Sequence, residues 1–199
     1  MTSVPHEWEP GARFASALAF AVKTHGDHHR KGSGTPYIAH LMSVCALVIE
    51  DGGSEDEAIA ALLHDAPEDR GGEPKLNEIG ERFGDDVRRI VAACSDTFEL
   101  PKPEWRLRKQ DYIAAVAGKQ RDEVRVSLAD KLHNARAILI DLRCVGDELW
   151  SRFSADRDSV VWYYDALATE FTKLDAGPMA DELERVVADI KEFIKRSPA

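Results

Sequence analysis

ALLHDAPED, residues 61–69, decides how this chain is read. An apolar run closes on His64 and Asp65, and two further acids, Glu68 and Asp69, follow Ala66 and Pro67. Upstream, Ser54 followed by Glu57 has the spacing of a capping box, which opens a helix over 55–65. Ile59 to Leu63 make that helix apolar, so ionisable groups at its end are costly unless something pairs with them. Pro67 cannot continue the helix and is expected to stop it, turning the chain where the histidine and aspartate end.

Helical periodicity extends in both directions. Phe14, Leu18 and Val22 step by four towards His25, and 25–37 is too polar and glycine-rich to be helical throughout. Ile38, Leu41, Met42, Cys45, Val48 and Ile49 form one stripe, and Val44 and Leu47 add a second apolar side, which predicts a central helix. APEDRGGEPK is expected to be a loop, followed by a short helix to about Phe83 and one from Gly84 to about Ala93. Helices are predicted near 104–118, 121–143, 155–173 and 179–195, the long one on Leu128, Leu132, Ala135, Leu139 and Leu142. No period-2 stretch of convincing length occurs, so the fold class is all-α: a single compact multi-helix domain over 1–199 with about eight to ten helices.

The 199 residues are 44% hydrophobic, enough for a proper core, and the formal charge of −10 argues against a general nucleic-acid binder. A local basic pocket or a bound cation can still admit an anionic small molecule. Cys45, Cys94 and Cys144 are odd in number and widely spaced, which reads as buried thiols in a reducing compartment. The first ten residues lack a signal-peptide pattern and no apolar run reaches membrane-spanning length, so a cytoplasmic, non-membrane protein is expected.

Ionisable residues interrupt the apolar pattern in three places: at His40, at His64 and Asp65, and at Asp130 inside VSLADKLHN. Two histidines and two aspartates from three helices make a mixed nitrogen and oxygen set suited to one divalent ion. Neighbours such as His64 and Asp65 are about 100° apart on a helix, so they share an ion only if it lies between their directions. An ion there lowers the pKa of water, and Glu68 is the right group at the right offset to move its proton, with solvated loop acids the plain alternative for Glu68 and Asp69. Asn134, one turn after Asp130, can bond a ligand carboxylate or a phosphate, or serve a structural network. Arg30 and Lys31, in a glycine-bearing loop before the His40 helix, suit a phosphate grip. His25, His28 and His29 read as solvent-facing or loop-packing residues, not ligands. Trp162-Tyr163-Tyr164 has core spacing, with one ring able to stack on a base.

The order RKGSGTPYIAH, AALLHDAPED, FGDDVRRIV and VSLADKLHNAR resembles the hydrolase domain of RelA/SpoT-type alarmone enzymes, within the HD superfamily of metal-dependent phosphohydrolases. The resemblance covers roughly residues 12–170 and is best matched in length by the small alarmone hydrolases. It implies metal ligation by His40, His64, Asp65 and Asp130, catalytic acids at Glu68 and Asp69, substrate contacts at Arg30, Lys31 and Asn134, and Mn²⁺ as the ion. The implied reaction removes the 3′-pyrophosphate from ppGpp or pppGpp. Tyr163 is carried as a further substrate contact on the strength of its ring. Ala66-Pro67 and Arg70-Gly71-Gly72 depart from the family pattern beside the acids, which puts substrate preference in question. Other readings are an HD phosphohydrolase of an adenine alarmone, NADPH or a nucleoside monophosphate, and a non-catalytic nucleotide-binding module. The last helix lies outside the resemblance and packs on the core or on a second subunit, so a homodimer is left open.

Overall fold

The computed structural model describes residues 8–98 and 101–196. Among them the helices are α1 (Ala12–His25), α2 (Ile38–Glu50), α3 (Glu55–Leu63), α4 (Ala66–Arg70), α5 (Gly72–Phe83), α6 (Asp85–Cys94), α7 (Trp105–Val116), α8 (Arg121–Val145), α9 (Arg157–Lys173) and α10 (Pro178–Arg196), with a 3-10 segment over Gly146–Arg152. The β structure among the described residues is one isolated antiparallel bridge, His29 to Pro36. The all-α expectation holds, and no described helix is long and apolar enough to cross a membrane.

The predicted capping box forms: the Ser54 hydroxyl accepts from the Glu57 N–H and the Glu57 carboxylate accepts from the Ser54 N–H. Every residue from Glu57 to Leu63 is buried, and α1, α2, α6 and α8 pack around this helix. Ala58, Ala60 and Ala61 let those neighbours approach closely. All-round burial thus belongs to α3, whereas α2 keeps an outer side on which Met42 is 48% exposed. The buried Glu57 carboxylate is matched by Arg125 of α8, which also donates to Asp51 at 2.9 Å.

Several expectations are corrected. α3 ends at Leu63, and Pro67 does not turn the chain out of helix; it sits in the first turn of α4, where its missing N–H costs nothing. The Asp69 N–H bonds the Asp65 carbonyl at 3.0 Å, so the chain bends at His64-Asp65 and resumes. APEDRGGEPK is therefore helical on both sides of Gly71, whose φ of +141° makes the break. Cys45 and Cys94 are buried free thiols, but Cys144 is exposed. The last helix packs on α8 and α9 within the same chain, burying Leu183, Val186, Val187 and Ile190.

After α6, Asp96 accepts from Arg108 at 2.5 Å and Lys109 at 2.7 Å with its side chain 4% exposed. Burial opposes its charge, but Lys109 and Arg108 hold the carboxyl below its ordinary 3.8. A depressed folded value means stabilisation present above about pH 4 and lost as pH falls through that value. Asp96→Ala leaves two part-buried cations without their carboxylate and is expected to cost about 3 kcal/mol in urea unfolding at neutral pH. The gap from the parent should close in acid.

Candidate metal centre and active site

Three packed elements bring four predicted residues to one point. His40 comes from the first turn of α2, His64 and Asp65 from the bend between α3 and α4, and Asp130 from the middle of α8. The Nε2 of His40 lies 3.4 Å from Asp65 Oδ2 and 3.3 Å from Asp130 Oδ1. The Nε2 of His64 lies 3.0 and 3.4 Å from the same two oxygens. Two ligands of one ion, each at about 2.0–2.2 Å and roughly 90–109° apart, stand about 3.0–3.5 Å from each other. Both Nε2 atoms are buried without a hydrogen-bond partner, so the contacts are close yet misaligned for N–H donation. That is the geometry of donors arranged around a shared point.

The surrounding groups set each donor's orientation. His64 Nδ1 is 2.8 Å from the Ala61 carbonyl, which can only accept; the proton therefore sits on Nδ1 and the Nε2 lone pair faces the cluster. His40 Nδ1 meets His133 Nδ1 at 2.8 Å. The Tyr37 hydroxyl donates to Asp65 at 2.7 Å, and Asn134 and Lys131 each donate to Asp130 at 2.6 Å. Burial disfavours charge on His64, yet Asp65 and Asp130 raise its basicity well above the ordinary imidazole. Burial equally opposes the carboxylates, but His64 and His40 hold Asp65 well below its usual range, and Lys131 with the same histidines does so for Asp130. The cluster favours positive charge at its centre, and its donor set fits a divalent cation.

Beside the cluster opens a cavity of about 870 Å³, within the range of small-molecule sites. Arg30 and Lys31 line it, on a loop closed by the Arg30 N–H to Thr35 carbonyl bond. Arg30 also donates to Asn134 at 2.9 Å, which joins the basic loop to Asp130 through one side chain. Arg152, from the 3-10 segment, adds a third cation to the wall and pairs with Asp141 at 2.8 Å. Its guanidinium lies where a Cβ of Gly32 would stand, and Gly32 has φ +85°, so a side chain there would displace Arg152 and strain the backbone. Asp69 lines the cavity; burial, Asp65 and Glu68 push its carboxyl up to about 6. Glu68 is held by Lys102 at 2.7 Å.

One predicted contact falls elsewhere. The Tyr163 ring is 5% exposed, does not line the cavity, and packs edge-on against Trp105 and Tyr164 with the Lys109 ammonium over it. It is a core ring, and the stacking role is withdrawn. Conversely, Tyr37, Lys102, His133 and Arg152 escape sequence reasoning because their side-chain partners lie 11 to 93 residues away, and Lys131 escapes it although it neighbours Asp130. His133 sits three residues after Asp130, and that offset on a helix is the one signal that could have raised it.

Burial and the nearby His40 drive His133 down to about 4, so it is neutral at physiological pH and can accept the His40 Nδ1 proton. His133→Ala is expected to weaken divalent-metal binding roughly 10–100-fold, as loss of a partner that orients a ligand does. Titration calorimetry of the chelator-stripped protein would measure it, and unchanged affinity would remove His133 from the site.

A family profile for the HD domain matches residues 17–160. The chain is 37% identical over 143 residues to the guanosine-3′,5′-bis(diphosphate) 3′-pyrophosphohydrolase MESH1 of Xenopus tropicalis, covering 70% of this chain and 75% of that protein. The human MESH1 is 36% identical over the same length and shares. A solved structure described as a metazoan ortholog of SpoT that hydrolyzes ppGpp superposes with a TM-score of 0.70 at 22% identity, covering 95% of this chain and 97% of that one. The chain belongs to the HD-domain family, in its RelA/SpoT-type hydrolase branch.

Proposed function

We propose that this protein is a metal-dependent hydrolase that removes the 3′-pyrophosphate from alarmone nucleotides of the ppGpp type, acting in the cytoplasm with Mn²⁺ held by His40, His64, Asp65 and Asp130. The observation that carries the reading is the joining of two sites by one side chain: Asn134 donates to Asp130 in the ligand cluster and accepts from Arg30 in the basic loop. A diphosphate gripped by Arg30 and Lys31 would therefore lie beside the cluster. The named relatives, guanosine-3′,5′-bis(diphosphate) 3′-pyrophosphohydrolases, point to the same substrate.

When bound, a divalent cation supplies Lewis acidity towards a phosphoryl oxygen and makes water a nucleophile near neutral pH. The chain supplies the rest. Glu68, anchored by Lys102, and Asp69 at the cavity wall orient the attacking water and take its proton. Arg30 and Lys31, with Arg152 beside their loop at Gly32, offset charge that builds on the leaving pyrophosphate. Asn134 and Tyr37 hold the two carboxylates in place.

Base preference is the open half of the assignment. Arg70, one of the departures beside the acids, reaches back to Asp27 at 2.6 Å, which draws α4 towards the loop after α1. A panel of ppGpp, pppGpp and ppApp, each assayed for pyrophosphate release with saturating Mn²⁺, tests it. Turnover of the guanosine compounds is the expected result. Turnover of ppApp alone would keep the chemistry and reassign the substrate; none with any of the three would overturn the proposed function.

A further inference from the structure

Next to the first cluster lies another group of metal-type donors, two of which, His25 and His28, the mechanism above does not use. His25 at the end of α1, His28 in the following loop and Asp69 in α4 each offer a donor atom, and these atoms lie within 4.8 Å of one another. The Nδ1 atoms of His25 and His28 face each other at 3.2 Å, the separation of two neighbouring ligands on one ion. His25 is 1% exposed, which rules out the solvent-facing half of the sequence reading and agrees with the packing half. Its Nε2 is buried without any hydrogen-bond partner.

We propose that His25, His28 and Asp69 form a second divalent-cation site, distinct in all three ligands from the first. Two imidazoles and one carboxylate suit a borderline transition-metal ion such as Zn²⁺ better than the harder Mn²⁺. His28 and Asp69 both line the large cavity, so the remaining coordination positions open towards it and are available to water or to an anionic oxygen. With a single carboxylate the loaded site keeps net positive charge, the sign a diphosphate needs. Of the groups whose charge opposes a cation there, Arg70 is neutralised by Asp27 at 2.6 Å, while His64 and His28 act in the same sense. Asp65 acts on His25 in the opposite, favourable sense. Burial keeps the His25 ring unprotonated down to about pH 4, so no proton competes at neutral pH.

Tyr37 joins the two clusters. Its ring stacks on His25, with centroids 5.3 Å apart and planes at 21°, and meets His40 edge-on at 5.4 Å. Its hydroxyl donates to Asp65. Asp69 then serves as a ligand, which leaves Glu68 as the principal proton carrier. The placement of this ion beside the substrate rests on the proposed hydrolase function; the binding itself does not.

The test is stoichiometry. The full chain, stripped with chelator, is titrated with Mn²⁺ alone and in parallel with Zn²⁺ alone, and bound ion is counted by equilibrium dialysis and elemental analysis. Two ions per chain are expected for the parent, one for His28→Ala, one for Asp130→Ala and none for the double variant. His28 is only partly buried, so its removal spares the core; His25→Gln, which keeps a polar group at the buried position, is expected to match it. An unfolding midpoint confirms that each variant is folded. One ion in the parent, lost with Asp130→Ala and kept with His28→Ala, would overturn the second site and leave the hydrolase reading standing. An ion lost with His28→Ala but untouched by Asp130→Ala would overturn the first site instead.

Discussion

Asp130→Ala is expected to take pyrophosphate release to background and to weaken binding at the first metal site by more than the roughly 100-fold that marks loss of an orienting partner. Asp130 faces both histidine Nε2 atoms and accepts from Lys131 and Asn134, so one truncation removes a ligand and unseats its supports. Asn134 would also lose its hold between the cluster and Arg30. The Lys131 ammonium, enclosed beside the Tyr112 ring at 4.8 Å, would be left without its carboxylate, at a cost to folding of about 3–5 kcal/mol. Asp130→Asn keeps the shape and one of the two accepting oxygens, so it can still accept from Lys131 or from Asn134 but not from both. It should lose the metal nearly as fully and somewhat less stability. Calorimetry with Mn²⁺, read beside urea unfolding, checks both.

The second large effect is Glu68→Gln, which should leave metal binding intact and lower kcat by about 10²–10⁴-fold, the usual contribution of a positioned proton carrier. Glutamine can still meet Lys102, so the α4 contact survives while the carboxylate's basicity is gone. KM should move little, since Arg30 and Lys31 hold the phosphates. A variant with unchanged kcat would move proton transfer to Asp69 or to solvent.

Much of this arrangement was legible in the sequence because it is local or periodic. The Ser54 to Glu57 capping box, the apolar run to Leu63 and the spacing along α8 place His64 and Asp65 just past the end of one packed helix and Asp130 on another. Their convergence within 3.0–3.4 Å follows from how α2, α3 and α8 pack, and that the sequence does not display. The α4 helix was hidden because a five-residue element that contains a proline and runs into two glycines carries no periodicity. The 3-10 segment was hidden for the same reason, and with it Arg152, whose place depends on the open space at Gly32. Tyr163 was misjudged in the other direction: an aromatic ring reads the same whether it faces a base or Trp105. His25 and His28 looked like loop residues because nothing near them in sequence shows Tyr37 stacking over them or Asp69 arriving from α4.

The most direct test of the central claim is the rate of pyrophosphate release from ppGpp by chelator-stripped protein as Mn²⁺ is restored. A metal centre built from His40, His64, Asp65 and Asp130 predicts no release from the stripped protein, recovery as Mn²⁺ is added, and no recovery in Asp130→Asn. Equal release before and after stripping, or full recovery in Asp130→Asn, would contradict it.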